Sequence, residues 1–315
     1  MNNRRSFIVG IKSTKLLPRE KSFLKKYRPW GIILFTRNIK NISQASKLTS
    51  SIREIFNDNN YPILIDQEGG RVNRLENIIS FENLTSEYFG KKYVNNINEF
   101  KFYFKLFIDK TSYLLKSIGV NINTTPVLDL RVKGSSNIIG DRSFSNNPKI
   151  VSKIGDYCIK YFHENGIGTV IKHIPGHGLA KVDSHHLTPI VKKKLKYLLK
   201  NDFITFKNKK TFFAMTAHIV FSEVDKENTV THSKKMINLI RKKIGFKNIL
   251  ISDDLSMKSL KGSIKENTIK TFNAGCNLAL HCNGNFKEME IVGKNSPLID
   301  KFISKKTSQF YKIIS

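Results

Sequence analysis

Cysteine is scarce. The chain of 315 residues has three, Cys158, Cys276 and Cys282. No two form a C-x-x-C pair and one is left over in any pairing, so neither a disulfide scaffold nor a thiol redox motif is expected. Long apolar runs are also missing. The first, residues 7–11, contains Gly10 and stops at Lys12, too short for a signal-peptide core. Nothing approaches the length needed to cross a bilayer. These absences predict a soluble, reduced, cytoplasmic protein with no membrane partner. No Pro/Gly/Ser-rich linker divides the chain, and a single domain over residues 1–315 is expected. Acidic residues are the third shortage: 25 Asp and Glu face 54 Lys and Arg, a net charge of +29. A basic surface suits nucleic acid, an anionic membrane or an acidic substrate. Lysine far outnumbers arginine, however, and its clusters are short, such as Lys192, Lys193 and Lys194. Readers of nucleic acid lean on the planar fork of arginine, so compositional drift accounts for most of the excess and no nucleic-acid partner is expected.

What is present is enough to build a core: 40% of residues are hydrophobic and 10% aromatic. Short β-rich runs recur at residues 7–11, 31–35, 62–66, 121–127, 168–173, 212–218, 248–253 and 277–282. Most are near-continuously apolar, the pattern of parallel strands covered on both faces. Between them lie helix-like stretches at 42–57, 100–117, 148–165 and 233–244. Asn147 before Pro148 and Ser233 read as N-caps. Eight strands alternating with helices point to an α/β fold, a (β/α)8 TIM-type barrel. A doubly wound sheet also alternates, but its Gly-rich first turn is not formed by Gly10 alone. The polar mixed tail from residue 291 reads as one or two helices closing the barrel.

Strand ends in such a barrel converge on one mouth. Here they carry Asp66-Gln67-Glu68-Gly69-Gly70-Arg71, Lys172-His173, His218 and Ser252-Asp253-Asp254. Ionisable groups at the ends of buried strands are costly unless paired, so their recurrence on four strands marks a site. A second cluster follows: Lys172-His173-Ile174-Pro175-Gly176-His177-Gly178, then Asp183-Ser184-His185-His186. Glycine and proline forbid a helix there, so His173 and His177 do not share a helical face as zinc-peptidase histidines do. A metal held by His173, His177, His185 and Asp183 remains open as a reading, though no carboxylate-rich or cysteine partner set supports it. The alternative is acid–base work, with Asp183 orienting the His185 imidazole two residues on. A local Asx-turn with exposed histidines is the plain structural option.

Taken together, these blocks resemble glycoside hydrolase family 3, in particular the single-domain bacterial β-N-acetylglucosaminidases of peptidoglycan recycling. The matching segments are Asp66-Gln67-Glu68-Gly69-Gly70-Arg71-Val72-x-Arg74, Pro126-Val127-Leu128-Asp129 and Gly140-Asp141-Arg142-Ser143-Phe144. Then come Lys172-His173-x-Pro175-Gly176-His177-Gly178, Asp183-Ser184-His185, Met215-Thr216-Ala217-His218, Ser252-Asp253-Asp254-Leu255-Ser256-Met257 and Ala274-Gly275-Cys276. They fall in family order over about residues 1–285. The chain departs from the pattern at Ile174, where an aromatic is commoner. It departs again at Asn123-Thr124-Thr125, in place of Asp-Phe-Ala, and at Asn277, in place of Asp.

The resemblance implies a retaining exo-β-N-acetylhexosaminidase acting on GlcNAc–1,6-anhydro-MurNAc fragments, with or without peptide. Asp253 would be the nucleophile, and His185 oriented by Asp183 the general acid and then base. Asp66, Arg74, Arg142, Lys172 and His173 would hold the sugar. No cofactor and no metal are implied, and a monomer is expected. An imidazole donor departs from the usual pair of carboxylates, but it titrates near neutrality without extreme burial. Phosphate attack in place of water, and a catalytically idle basic barrel that binds nucleic acid, are the competing readings.

Overall fold

In a computed structural model that describes residues 3–314, eight parallel strands close into a barrel. They are β1 (Arg5–Gly10), β2 (Pro29–Leu34), β3 (Ile63–Ile65), β4 (Ile122–Asn123) and β5 (Gly168–Ile174), then β7 (Phe213–Thr216), β9 (Ile249–Asp254) and β10 (Leu278–His281). Two short strands, β6 (Ile190–Val191) and β8 (Val220–Phe221), pair outside the barrel, an addition the apolar pattern did not announce.

Period two explains why the strands look continuously apolar. Phe7 and Val9, Ile63 and Ile65, Ala214, Leu250 and Ala279 point outward into a core shared with the helices. Their alternates Ile8, Leu64, Phe213, Met215, Ile249, Ile251, Leu278 and Leu280 point inward and fill the barrel. Both faces are dry, so neither face of a strand needs a polar residue until the strand ends.

The C-terminal helix Lys301–Ile314 sends Ile303 and Phe310 into the interior cluster, where Phe310 packs edge-on against Phe213. Trp30, fully buried at the start of β2, donates its indole N–H to Thr307 Oγ1 at 2.9 Å. The tail thus stoppers the N-terminal end of the barrel and leaves the opposite end as the mouth.

Differences from the sequence reading have local causes. The segment expected as strand 121–127 pairs regularly only over Ile122–Asn123. Pro126 has no N–H for a ladder, and the chain instead runs along β5 through Leu128 N–H to the Lys172 carbonyl, 2.8 Å. The expected helix 233–244 is capped by Ser233 Oγ, but it widens into a π-helix over Ile240–Ile244 before Gly245 at φ 84°. Asn147 caps Pro148–Glu164 through Lys149 N–H at 2.9 Å.

Candidate active site

Continuing the period of two beyond the inward-facing residues places the next inward position of each strand at the mouth. Leu64 is followed by Asp66, Ile122 by Thr124, Val170 by Lys172, Ile251 by Asp253 and Leu280 by Cys282. All five line one cavity of about 250 Å³, whose wall also includes Arg74, Arg142, His173 and His185. Of the residues given a role in the sequence reading, the cavity therefore brings together all but Asp183. That carboxylate stands behind His185, accepting from its Nδ1 and from its backbone N–H, both at 2.8 Å.

The floor is an ion cluster. Asp66 accepts from Lys172 Nζ, from Thr124 Oγ1 at 2.6 Å and from Arg74 at 3.1 Å. Glu68 takes a bidentate grip from Arg142, both contacts 2.8 Å, and a further contact from Lys172 at 2.6 Å. The Glu68 and Lys172 side chains are each 2% exposed. Burial alone would raise both carboxyl pKa values. The charges of Lys172, Arg74 and Arg142 outweigh it for Asp66, and those of Arg142 and Lys172 for Glu68, so both stay ionised. Arg142 is raised in turn by Glu68 despite its own burial. Every charge in the cluster has an opposite charge in contact, although the buried Arg74 Nε–H has no partner, so Asp66, Lys172 and Arg74 hold one another in position for a ligand.

A second buried carboxylate fixes the histidines. Asp129, 1% exposed, accepts from His173 Nδ1 at 2.7 Å and from the His177 backbone N–H at 2.7 Å. A register shift between Lys172 and Ile174 turns His173 into the mouth beside Lys172. His177 Nε2 meets Ser184 Oγ at 3.0 Å, which ties the Gly/Pro loop to the segment carrying His185. The loop passes so close to Leu130 that a Cβ on Gly178 would overlap the Leu130 carbonyl oxygen. Among the described residues no group of three or more His, Cys, Asp or Glu side chains is arranged to hold a metal ion. Of the residues in the metal reading, His173 meets Asp129, His177 meets Ser184, and His185 and Asp183 meet each other.

Asp253 closes the far side. Its Oδ1 accepts from the Asp254 N–H at 2.8 Å. Burial would push its pKa up, but the fields of His218 and His173 together with that N–H hold it below the ordinary carboxylate value. His218 is buried and clamped between Thr231 Oγ1, 2.8 Å, and the Asp254 carbonyl, 3.0 Å. Asp254 faces the other way, accepting from Ser256 and from the Cys282 N–H at 3.1 Å, as alternation on a strand requires. His185 differs from all of these, with a side chain 57% exposed. A carboxylate at the bottom of the mouth and an imidazole with a free Nε2 at its lip suit a reaction at a bond spanning the two.

Comparison with known proteins identifies the family. The sequence profile of the Glycosyl hydrolase family 3 N terminal domain matches residues 9–305. The chain belongs to this family. It is a glycoside hydrolase, similar at 31% identity over 288 residues to a beta-hexosaminidase of Nitrosomonas eutropha, covering 88% of this chain and 80% of that protein. A beta-hexosaminidase of Haemophilus influenzae is likewise 31% identical, over 88% of this chain and 79% of its own. Among solved structures, NagZ of Neisseria gonorrhoeae in complex with N-trifluoroacetyl-D-glucosamine superposes with a TM-score of 0.87 at 28% identity. That match covers 99% of this chain and 90% of the gonococcal one.

The departures from the family pattern acquire physical meaning in this setting. Asn123 both donates to the Gln67 carbonyl, 2.8 Å, and accepts from the Gln67 N–H, 3.0 Å. An ionised Asp could only accept. Thr124 supplies a hydroxyl that reaches Asp66 where an aromatic is usual. Asn277 keeps an acceptor for Leu250 N–H and Arg241, at 2.9 and 2.7 Å. Glu68, Asp129 and Thr124 had no role assigned from sequence. Glu68 and Asp129 stand in the matched blocks, and Thr124 was reachable by counting in twos from Ile122.

Proposed function

We propose that this glycoside hydrolase is a retaining exo-β-N-acetylhexosaminidase that releases terminal β-linked GlcNAc from GlcNAc–1,6-anhydro-MurNAc fragments, with or without their peptide. The observation that carries the reading is the ionised Asp253 at an inward strand position with His185, backed by Asp183, at the lip of the same cavity. N-trifluoroacetyl-D-glucosamine in the gonococcal relative supports an N-acylated glucosamine in the cavity.

In the first step Asp253 attacks the anomeric carbon, and His185 Nε2 gives its proton to the glycosidic oxygen as that bond breaks. Asp183 holds Nδ1–H and so fixes the orientation of the ring, leaving Nε2 for the transfer. In the second step His185 takes a proton from water, which displaces Asp253 and releases the sugar with its configuration retained. Asp66, Arg74, Lys172, Arg142 and His173 surround the sugar. The fixed charges of the first three orient its hydroxyls, and Arg142 acts on the ligand chiefly by holding Glu68 and Lys172 in place. His185 stands on an exposed loop rather than in the ion cluster, so it can approach after the sugar is seated. Phosphate in place of water is the neighbouring reading, favoured by an imidazole rather than a carboxylate partner.

The reading includes a cytoplasmic monomer. Three free cysteines, two of them buried, support a reducing compartment. No described helix is long and apolar enough to cross a membrane. The test is release of p-nitrophenol from the β-GlcNAc glycoside, with product analysis in phosphate buffer. Turnover yielding free GlcNAc is expected. No turnover, or unchanged turnover by Asp253→Ala, contradicts the hydrolase, and sugar 1-phosphate as product contradicts water as acceptor.

A further inference from the structure

Exposed apolar side chains are not spread evenly over this barrel. Of the fourteen large hydrophobic residues that stand exposed among the described residues, six fall within residues 94–113: Val94, Ile97, Phe102, Tyr103, Leu106 and Tyr113. Five of them sit on the helix Ile97–Ser117, which lies between β3 and β4 in the chain. At 3.6 residues per turn, Phe102, Leu106 and Tyr113 fall within about 40° of arc and form a stripe about 16 Å long. Their exposures, 65, 56 and 64%, mark a face that nothing in the described chain covers. The opposite face already sends Phe100, Phe104, Phe107, Leu114 and Leu115 into the core, so the helix does not need the stripe to fold.

Lysines flank the stripe on both sides. Measured from Phe102, Lys101, Lys105 and Lys116 stand about 40–100° to one side and Lys110 about 80° to the other, all of them exposed. The two carboxylates of this face each have a lysine partner. Asp109 accepts from Lys105 at 2.8 and 2.9 Å, and Glu99 accepts from Lys92 of the preceding helix, Ser86–Asn95, at 2.8 Å. No carboxylate of the described residues pairs with Lys101, Lys110 or Lys116. The helix carries no arginine.

An apolar ridge between unpaired lysines, on a chain of net charge +29, complements a surface that is anionic above and apolar beneath. We propose that this face docks on an anionic lipid membrane, with Phe102, Leu106 and Tyr113 at the edge of the acyl chains and the lysines among the headgroups. A second copy of the chain would bring lysines against lysines. A nucleic acid would meet no arginine fork and, at Leu106 and Val94, no ring on which a base could stack. The expectation of no membrane partner rested on the lack of an apolar run long enough to cross a bilayer, and lying on its surface needs no such run. A helix that connects two parallel strands runs antiparallel to them, so a helix flat on the membrane lays the barrel axis roughly along it. The mouth with Asp253 then opens sideways, clear of the lipid.

The experiment is sedimentation of the full chain with vesicles of phosphatidylcholine, alone or with about 30% phosphatidylglycerol. The wild type is expected to bind the anionic vesicles at low salt, at least about tenfold more tightly than the neutral ones, and to be released by about 0.5 M salt. Lys101→Gln/Lys110→Gln/Lys116→Gln should weaken binding by about a hundredfold, at about fivefold per lysine. Removing three lysines across the barrel, Lys261→Gln/Lys265→Gln/Lys270→Gln between β9 and β10, should change it by less than about threefold. Phe102→Ser/Leu106→Ser removes two exposed side chains, so Tm should hold while binding falls by at least about tenfold. None of these readouts uses activity, and the proposal does not rest on the hexosaminidase reading. No binding to the anionic vesicles overturns it. Equal loss in the two lysine variants, or full binding by Phe102→Ser/Leu106→Ser, would reduce the effect to diffuse charge and overturns it too. Concentration-dependent dimers that Leu106→Ser abolishes, or displacement from the vesicles by a short DNA oligonucleotide, would overturn it in favour of another occupant.

Discussion

The Glu68 side chain is almost wholly buried, yet two cations depend on it, and replacing it by Gln exposes how the floor of the site is held. The substitution keeps the shape and one acceptor oxygen while removing the charge facing Arg142 and Lys172. Breaking a buried ion pair from one side costs about 3–5 kcal/mol. Here Lys172 retains Asp66 and Arg142 retains the Ile138 carbonyl, so the lower end, about 3 kcal/mol, applies. At about 2.1 cal/mol/K per residue, the chain unfolds with an entropy of roughly 0.7 kcal/mol/K, so Tm should fall by about 4–5 °C. The sign with pH is defined. Glu68 is held below its ordinary pKa, so its contribution is present above the unfolded carboxylate value and is lost as pH falls through the folded one. Differential scanning calorimetry should therefore give a constant gap between wild type and Glu68→Gln from about pH 5 to 8, closing in strong acid. A Tm within about 1 °C of wild type near neutrality would refute the idea that the carboxylate holds these cations in a dry site.

Further outcomes follow from the same structure. Asp202, 3% exposed with Oδ2 unpartnered, has its carboxyl pushed up to about 7 by burial and by the charge of Asp129. Such a group weakens the fold as pH rises from the ordinary carboxylate range through about 7, so Asp202→Asn should raise Tm at about pH 8 and much less near pH 4. An equal gain at both would contradict this. His185→Ala should lower kcat/KM, which reports the step in which the glycosidic bond breaks, by about 10²–10⁴ for substrates with poor leaving groups. The loss in kcat/KM should be much smaller for the glycosyl fluoride or a dinitrophenyl glycoside, whose leaving groups need no proton, whereas a uniform loss would mean that His185 does not donate one. Asp183→Asn should fall between His185→Ala and wild type in the same steady-state assay, and full activity would show that His185 needs no orienting carboxylate.

The barrel was legible because its strands are buried on both faces, which writes itself as short apolar runs. The mouth was legible because a polar residue in such a run has few places to go except the strand end. Asp66, Lys172 and Asp253 came out of that rule alone. Assigning roles to Asp253, His185 and Asp183 needed the family resemblance as well, since an Asp two residues before a His also describes an ordinary turn. Asp129 was harder to see. Its importance lies in accepting from His173 and His177, 44 and 48 residues away, and no local pattern encodes such a pairing. The length of the fourth strand was overread because Pro126 ends the ladder while the apolar pattern continues.

The most direct test of the central claim is trapping of the glycosyl-enzyme with 5-fluoro-β-GlcNAc fluoride, followed by proteolysis and mass spectrometry. The account predicts one stoichiometric label, on Asp253, and none in Asp253→Ala. A label on Asp254, Glu68 or any other residue, or turnover with inversion and no label, would contradict it.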